Sequence, residues 1–281
     1  MNENNSTTNT TTVIFEILRY NPETGEKPKM QEYSVQVHKG MTVLDGLNWI
    51  KENLDPSLAW RSSCRMGVCG SCGMFINGYP RLACNNQILK ISAKKIQIKP
   101  LPNFDIIRDL VPDLEGFFQK HQSVKPYLIR KDIQEQNLPT GEYFQSPDEL
   151  TNYIQFAYCI KCGLCLSACP TVATDEKFTG PQALAQAWRY NSDSRDEGSG
   201  ERIEAVHDEI GASRCHFAGA CSDVCPKGVD PSFAIQLLKQ DVFLKTLKLR
   251  KDEKESHVIP TAEKFVPNAK IPEAPKPTVK K

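Results

Sequence analysis

The sequence predicts an α+β protein: an N-terminal β-grasp unit, in which a small mixed sheet packs on one helix, followed by an all-α unit. Three observations carry this. Up to about residue 103 the chain alternates apolar and polar positions around a single segment of helical spacing. Beyond Leu101-Pro102-Asn103 the helical period dominates and strand signals stop. All eleven cysteines fall into three sets. Cys64, Cys69, Cys72 and Cys84 lie in the first unit; Cys159, Cys162, Cys165 and Cys169, then Cys215, Cys221 and Cys225, lie between helical segments of the second.

Taken in order, residues 12–20 alternate and are rich in β-branched and aromatic side chains, which predicts a strand. The loop NPETGEKPKM carries Pro and Gly turn signals, and QEYSVQV is a second alternating strand, so the two form a hairpin. TVLDGLNWIKEN then places Val43, Leu44, Leu47 and Ile50 on one face of a helix. After the first cysteine loop, MFIN, a glycine-containing turn and KKIQIKPL predict further strands. FDIIRDLVPDLEGFFQKHQS is expected to be helical, started or kinked by Pro112. Ser146-Pro147-Asp148-Glu149, Gly180-Pro181 and Asp230-Pro231 each open a helix with proline at its first position. The last of these begins the longest helical signal. The expected divisions are a disordered 1–11, a β-grasp unit over 12–103, a helical unit over 104–257 and an extended Pro- and Lys-rich tail over 258–281.

The cysteine spacings specify chemistry. The first set has the C-x4-C-x2-C…C pattern of a plant-type 2Fe–2S ferredoxin. Gly67, Gly70 and Gly73 let its loop curl and bring backbone N–H groups to the sulfurs. A zinc site needs closely spaced pairs, and Cys84 stands alone. The second and third sets have the paired C-x2-C-x2-C-x3-C-P form of two-cluster ferredoxins, in which the fourth cysteine of each run ligates the other cluster. Cys159, Cys162, Cys165 and Cys225 then complete a 4Fe–4S site. Cys169 joins Cys215 and Cys221, and the position where a further cysteine belongs is Ala218. A methyl group cannot ligate iron. Either the corner iron is absent, giving 3Fe–4S, or water or substrate holds it; the small, mostly apolar CHFAGAC favours the first. Pro170 and Pro226 fix the chain direction as it leaves each run.

A net charge of +1 argues against nucleic-acid binding or a polybasic membrane role. No run approaches the ~18 apolar residues of a spanning helix. MNENNSTTNTTT has neither an apolar core nor a basic start and is not expected to be a signal or transit peptide. Thiolates awaiting iron must stay reduced, which favours the cytosolic side of a cell. His38, His121, His207 and His257 have no ligand partners at useful spacing, whereas His216 lies inside a cysteine loop. Arg61 and Arg65 flank the first set and either offset its negative charge or are solvated; Trp188 reads as core. There is no G-x-G-x-x-G, Walker A or nucleophile elbow, so the chain is not expected to bind flavin or nucleotide by itself.

The segments RSSCRMGVCGSCGMFINGYPRLAC, RDLVPDLEGFFQKHQSVKPYL, CIKCGLCLSACP, TGPQALAQAWRYNSDSRD and CHFAGACSDVCPKGV resemble the iron–sulfur subunit of succinate dehydrogenase and fumarate reductase, over about Val13 to Arg250. The resemblance implies 2Fe–2S, 4Fe–4S and 3Fe–4S clusters. It implies electron transfer from an FAD-containing flavoprotein subunit, which holds the dicarboxylate site, through the three clusters to a membrane quinone. It further implies membrane-anchor subunits and a peripheral place on the cytoplasmic face of the membrane, in respiration and the tricarboxylic acid cycle. The direction, succinate oxidation or fumarate reduction, stays open. Pro170, Thr171, Thr174 and His216 match the quinone side, with one departure: the family commonly has Trp where this chain has Thr174. A soluble thiol-linked fumarate reductase is disfavoured because no cysteine follows Cys225, and a free ferredoxin has no need of both fold types.

Overall fold

The computed structural model describes residues 10–249 and 258–260. The N-terminal unit contains β1 (Thr11–Arg19), β2 (Lys29–Val37), α1 (Val43–Asn53), β3 (Gly73–Ile76), β4 (Tyr79–Leu82), the short α2 (Ile88–Ile91) and β5 (Lys95–Lys99). The five strands form one mixed sheet in the order β2-β1-β5-β3-β4, with β1 and β5 parallel and the other pairs antiparallel. Alternation along β1 buries Val13, Phe15 and Ile17 against the face covered by α1. The helix contributes Val43, Leu44, Leu47 and Ile50, and Thr42 and Asp45 close its N-terminus in a reciprocal capping box. Helix and sheet approach so closely that a β-carbon at Gly46 would sit 2.4 Å from Phe15 Cζ. Strand β4 was not legible as a strand because Pro80 interrupts it; it lies at the sheet edge, where proline costs no ladder bond.

The second unit corrects three expectations. The stretch from Phe104 does not begin as a helix. Ile106–Arg108 (β6) and Val111–Pro112 (β7) form a small hairpin, and α3 starts only at Glu115 (Glu115–Ser123). The reversal comes at Asp109, whose φ is +46°. Its buried carboxylate accepts from Arg19 Nε (3.0 Å), Tyr20 N (2.9 Å) and Ala59 N (2.9 Å). Leu110 enters the first core, so the hairpin packs on the N-terminal unit. Strands also do not stop there. After α4 (Ile133–Asn137), β8 (Gly141–Tyr143) pairs antiparallel with β9 (Val258–Pro260). The expected 258–281 tail is therefore paired at its first three residues; its remainder, and most of the expected 1–11 segment, lie outside the described residues. Thr11 already belongs to β1.

The rest is helical: α5 (Pro147–Thr151), α6 (Ile154–Ala157), α7 (Leu164–Ser167), α8 (Pro170–Thr174), α9 (Pro181–Asn191), α10 (Ser199–Val206), α11 (Ala220–Asp223) and α12 (Pro231–Thr246). The three proline-opened starts stand where expected; Ser146 forms a capping box with Glu149, and Asp230 accepts from Phe233 N. Helix α9 is the centre, buried over most of its length against α12, α6, α10 and α3. Behind it, Arg202 and Asp196 form a bidentate pair (2.6 and 2.8 Å) with both side chains fully buried. Ile129 N and Gly198 N complete the carboxylate.

The two units share packing. Leu164 of α7 belongs to the first core, and Asn103 donates to Leu166 O, Ser167 O and Cys169 O at 3.0, 3.1 and 3.3 Å. Gly70, in the first cysteine loop, has a φ of +77°; a β-carbon there would lie 2.7 Å from Cys162 Cβ and 3.0 Å from its Cα. Only glycine allows both the turn and the contact.

Two predictions follow from this packing. Gly70→Ala adds strain at a left-handed residue and overpacks the junction, so it is expected to cost roughly 2–4 kcal/mol, seen as earlier thermal unfolding. The second concerns Asp55, which pairs with Arg19 and accepts from Tyr33 Oη at 2.7 Å. Burial disfavours its charge, but hydrogen bonds from Ser57, Tyr33 and Arg19 outweigh burial and hold its carboxyl well below the usual range. Its folded value lies below the unfolded one of about 3.9. The stabilisation is complete above that pH and is lost as pH falls through the folded value. Asp55→Asn should therefore lower stability at neutral pH, with the deficit shrinking below about pH 4 in a pH series of thermal unfolding.

Candidate iron–sulfur cluster sites

The first four cysteines converge at the end of the sheet. The loop before β3 turns left-handed at Arg65, Gly67 and Gly70, which points its amides inward. Met66 N, Val68 N and Cys69 N approach Cys64 Sγ at 3.4, 3.2 and 3.2 Å; Gly67 N approaches Cys84 Sγ at 3.2 Å. Cys84 arrives on the turn after β4, held beside Cys72 by the bond from Ala83 N to Cys72 O (3.0 Å). Ser71 Oγ lies 3.0 Å from Cys69 Sγ and, with backbone contact to Cys64, brings that thiol down to about 6. The rim is open, with Met66 72% and Val68 52% exposed beside exposed Ser62, Ser63 and Arg65.

The other two runs fold as one motif repeated. Cys159 is followed at +2 by Lys161 (φ +53°), at +3 by Cys162 and at +4 by Gly163 (φ +79°), which caps α7. Cys215 is followed at +2 by Phe217 (φ +57°), at +3 by Ala218 and at +4 by Gly219 (φ +76°), which caps α11. Ala218 thus occupies the place that Cys162 holds in the first copy. Cys165 and Cys221 sit on the first turns of the two short helices, and Cys169 and Cys225 follow four residues later, each before proline.

Two cavities, the second and third cysteine sites in that order, separate these seven thiols. One is lined by Cys159, Cys162, Cys165 and Cys225. The other is lined by Cys169, Cys215 and Cys221, with Ala218, Pro170, Thr171 and His216. The final cysteine of each run therefore faces the cavity of the other run. Val229 N approaches Cys225 Sγ and Phe217 N approaches Cys215 Sγ, both at 3.4 Å.

All eleven cysteines are free of disulfides. Burial pushes the thiols of Cys72, Cys162 and Cys221 up to about 12, and the neighbouring thiols of each set push the same way. Cys165 is driven well up by burial and by Cys162, Cys159, Cys221 and Cys225. Thiols so crowded cannot ionise together without a cation among them. Soft anionic sulfur with amide donors behind it, in an otherwise apolar cavity, is a donor set that suits iron–sulfur clusters.

The remaining residues fall into place unevenly. Thr171 is buried, while His216 and Ala218 are exposed at the mouth of the third site. Thr174 does not line that cavity: its hydroxyl is 3.1 Å from Thr171 O and 3.2 Å from Pro170 O, turned back on its own helix. Arg61 donates to Pro112 O (2.7 Å), a tie to the β6–β7 hairpin. His38 and His207 lie beside backbone carbonyls, and His257 is outside the described residues. His121 contacts Gln182, which lines the second cavity. Sequence reasoning passed over Gln182, Ser71 and Phe217. The glycine at +4 signalled the turn that strains Phe217, but nothing in the sequence brings Gln182 to Cys159.

Comparison with known proteins agrees with this geometry. Residues 14–119 match the family model of a 2Fe-2S iron-sulfur cluster binding domain, and residues 155–229 that of a 4Fe-4S dicluster domain. The chain is 46% identical over 236 residues to the fumarate reductase iron-sulfur subunit of Mycobacterium tuberculosis, covering 84% of this chain and 95% of that one. It is 41% identical over 227 residues to the succinate dehydrogenase iron-sulfur subunit of Paracoccus denitrificans, covering 80% and 86%. Among solved structures, a chain of the Mycobacterium smegmatis Sdh1 complex in the apo form superposes with a TM-score of 0.77 at 27% identity, covering 85% of this chain and 98% of that one. With three thiol-lined sites on a ferredoxin-type sheet and a helical dicluster unit, this chain belongs to the family of succinate dehydrogenase and fumarate reductase iron–sulfur subunits.

Proposed function

We propose that the chain is the electron-relaying subunit between a flavoprotein that handles the dicarboxylate and a quinone at the membrane. In this reading Cys64, Cys69, Cys72 and Cys84 hold a 2Fe–2S cluster over the 12–103 unit. Cys159, Cys162, Cys165 and Cys225 hold a 4Fe–4S cluster, and Cys169, Cys215 and Cys221 a 3Fe–4S cluster, both in the helical 104–257 unit. The clusters supply one-electron chemistry. The protein supplies thiolates, amide donors and a dry setting that fixes their potentials.

One observation carries the assignment of the third cluster: the equivalence of Ala218 with Cys162 in the repeated turn. The backbone presents that position for ligation in both copies, and only one copy has a sulfur there. The exposed Met66 and Val68 at the rim of the first site suit docking of the flavoprotein. At the other end, Pro170, Thr171 and the exposed His216 form the quinone side, with His216 offering a hydrogen bond to a quinone oxygen. Thr174 turns its hydroxyl back onto carbonyls of its own helix. No helix among the described residues is long and apolar enough to cross a membrane, so attachment runs through anchor subunits, on the cytoplasmic face where thiols stay reduced.

Native protein should carry about nine iron atoms per chain on this ligand count. Its 3Fe–4S paramagnetic signal should vanish in Cys215→Ser. Ala218→Cys should raise the iron count by about one and replace that signal with that of a four-iron centre of lower potential. A three-iron signal that persists unchanged in Ala218→Cys would overturn the assignment. The complete complex should couple succinate oxidation to quinone reduction and fumarate reduction to quinol oxidation; failure in both directions would sink the relay reading.

A further inference from the structure

Gln182 is the second residue of α9 and is 2% exposed. Among the described residues lining the second cavity, it and Lys227 are the ones whose side chains carry nitrogen or oxygen, and Lys227 is half-buried. Its Nε2 stands 3.8 Å from Cys159 Sγ and 3.2 Å from His121 Nδ1. Its Oε1 is buried without a partner.

A buried amide oxygen left without a partner is costly, so this orientation needs a cause. Turning the amide over would give Oε1 to His121 but set a carbonyl oxygen against Cys159. A ligating cysteine sulfur is anionic and only accepts hydrogen bonds. Facing a carbonyl oxygen it would be repelled; facing the NH2 group it gains a donor. The group's second hydrogen then meets the unprotonated Nδ1 of His121, which fixes the ring with its proton on Nε2. His121 on α3 and Pro181 at the start of α9 thus hold the amide in register with the sulfur.

We propose that Gln182 is a positioning residue for electron transfer: by donating to Cys159 it raises the potential of the four-iron centre. This rests on the reading that Cys159 ligates that centre. A hydrogen bond to a ligating sulfur withdraws charge and favours the reduced, more negative cluster. Among the described contacts Gln182 reaches no sulfur of the other two sites, so its own effect is confined to the middle of the relay.

The test is a redox titration of the intact complex followed by electron paramagnetic resonance. Gln182→Leu, similar in volume, should shift the midpoint of the 4Fe–4S centre downward while its spin count and the midpoints of the other two centres stay at the parental values. An unshifted midpoint at full spin count overturns the proposal. Should the variant assemble poorly, the parent protein labelled with ¹⁵N at glutamine side chains decides: the reduced four-iron centre should show a ¹⁵N coupling, and its absence overturns the proposal. Cys159→Ser separates the two readings. If it leaves the four-iron signal unaltered, the ligand assignment and the proposal both fall. If it perturbs that signal while Gln182→Leu does nothing, only the tuning role falls.

Discussion

Thiols packed together away from water resist ionisation, and the architecture is organised around that resistance. Burial and mutual repulsion raise Cys72, Cys162, Cys165 and Cys221 together. The chain answers with backbone. Left-handed turns at Arg65, Gly67 and Gly70, and again at Lys161, Gly163, Phe217 and Gly219, rotate amide hydrogens toward sulfur. The protein itself places little positive charge beside the thiols. Of the side chains lining the second cavity Lys227 alone is cationic, and the third has His216 at its exposed mouth.

The fold's other task is to hold three such sites in fixed relation. The sheet ends where the first loop begins, and that loop packs directly on the second site through Gly70 and Gly73. Leu164 crosses into the first core and Asn103 ties the junction to α7. The Arg19–Asp109–Asp55 network fastens the β6–β7 hairpin to β1 and the loop after α1. What joins the two units is therefore a continuous packed surface.

Much of this was legible because cluster ligands are counted by spacing. The cysteine sets, the crossover of Cys169 and Cys225, and the special place of Ala218 were all written in offsets along the chain. So were β1, β2, α1 and the proline-opened helices, whose periodicity and caps are local signals. The errors share a cause. The β6–β7 hairpin looked helical because its turn depends on Asp109 finding Arg19 and two amides about fifty and ninety residues away in sequence. Strand β4 was hidden by Pro80, tolerable only at an edge. Strand β9 exists through its pairing with Gly141–Tyr143, more than a hundred residues earlier. Gln182 reads as an ordinary helix residue until the fold places α9 beneath Cys159.

The missing side chain at Gly70 has a consequence for kinetics. Backbone of the first loop rests against Cys162, so the first and second cysteine sites are joined by packed atoms. Tunnelling decays steeply with distance, and a gap that cannot open has one rate. Passage from the sheet unit to the helical unit then waits on no swinging of one body against the other, and any gating of turnover belongs at the two ends of the relay.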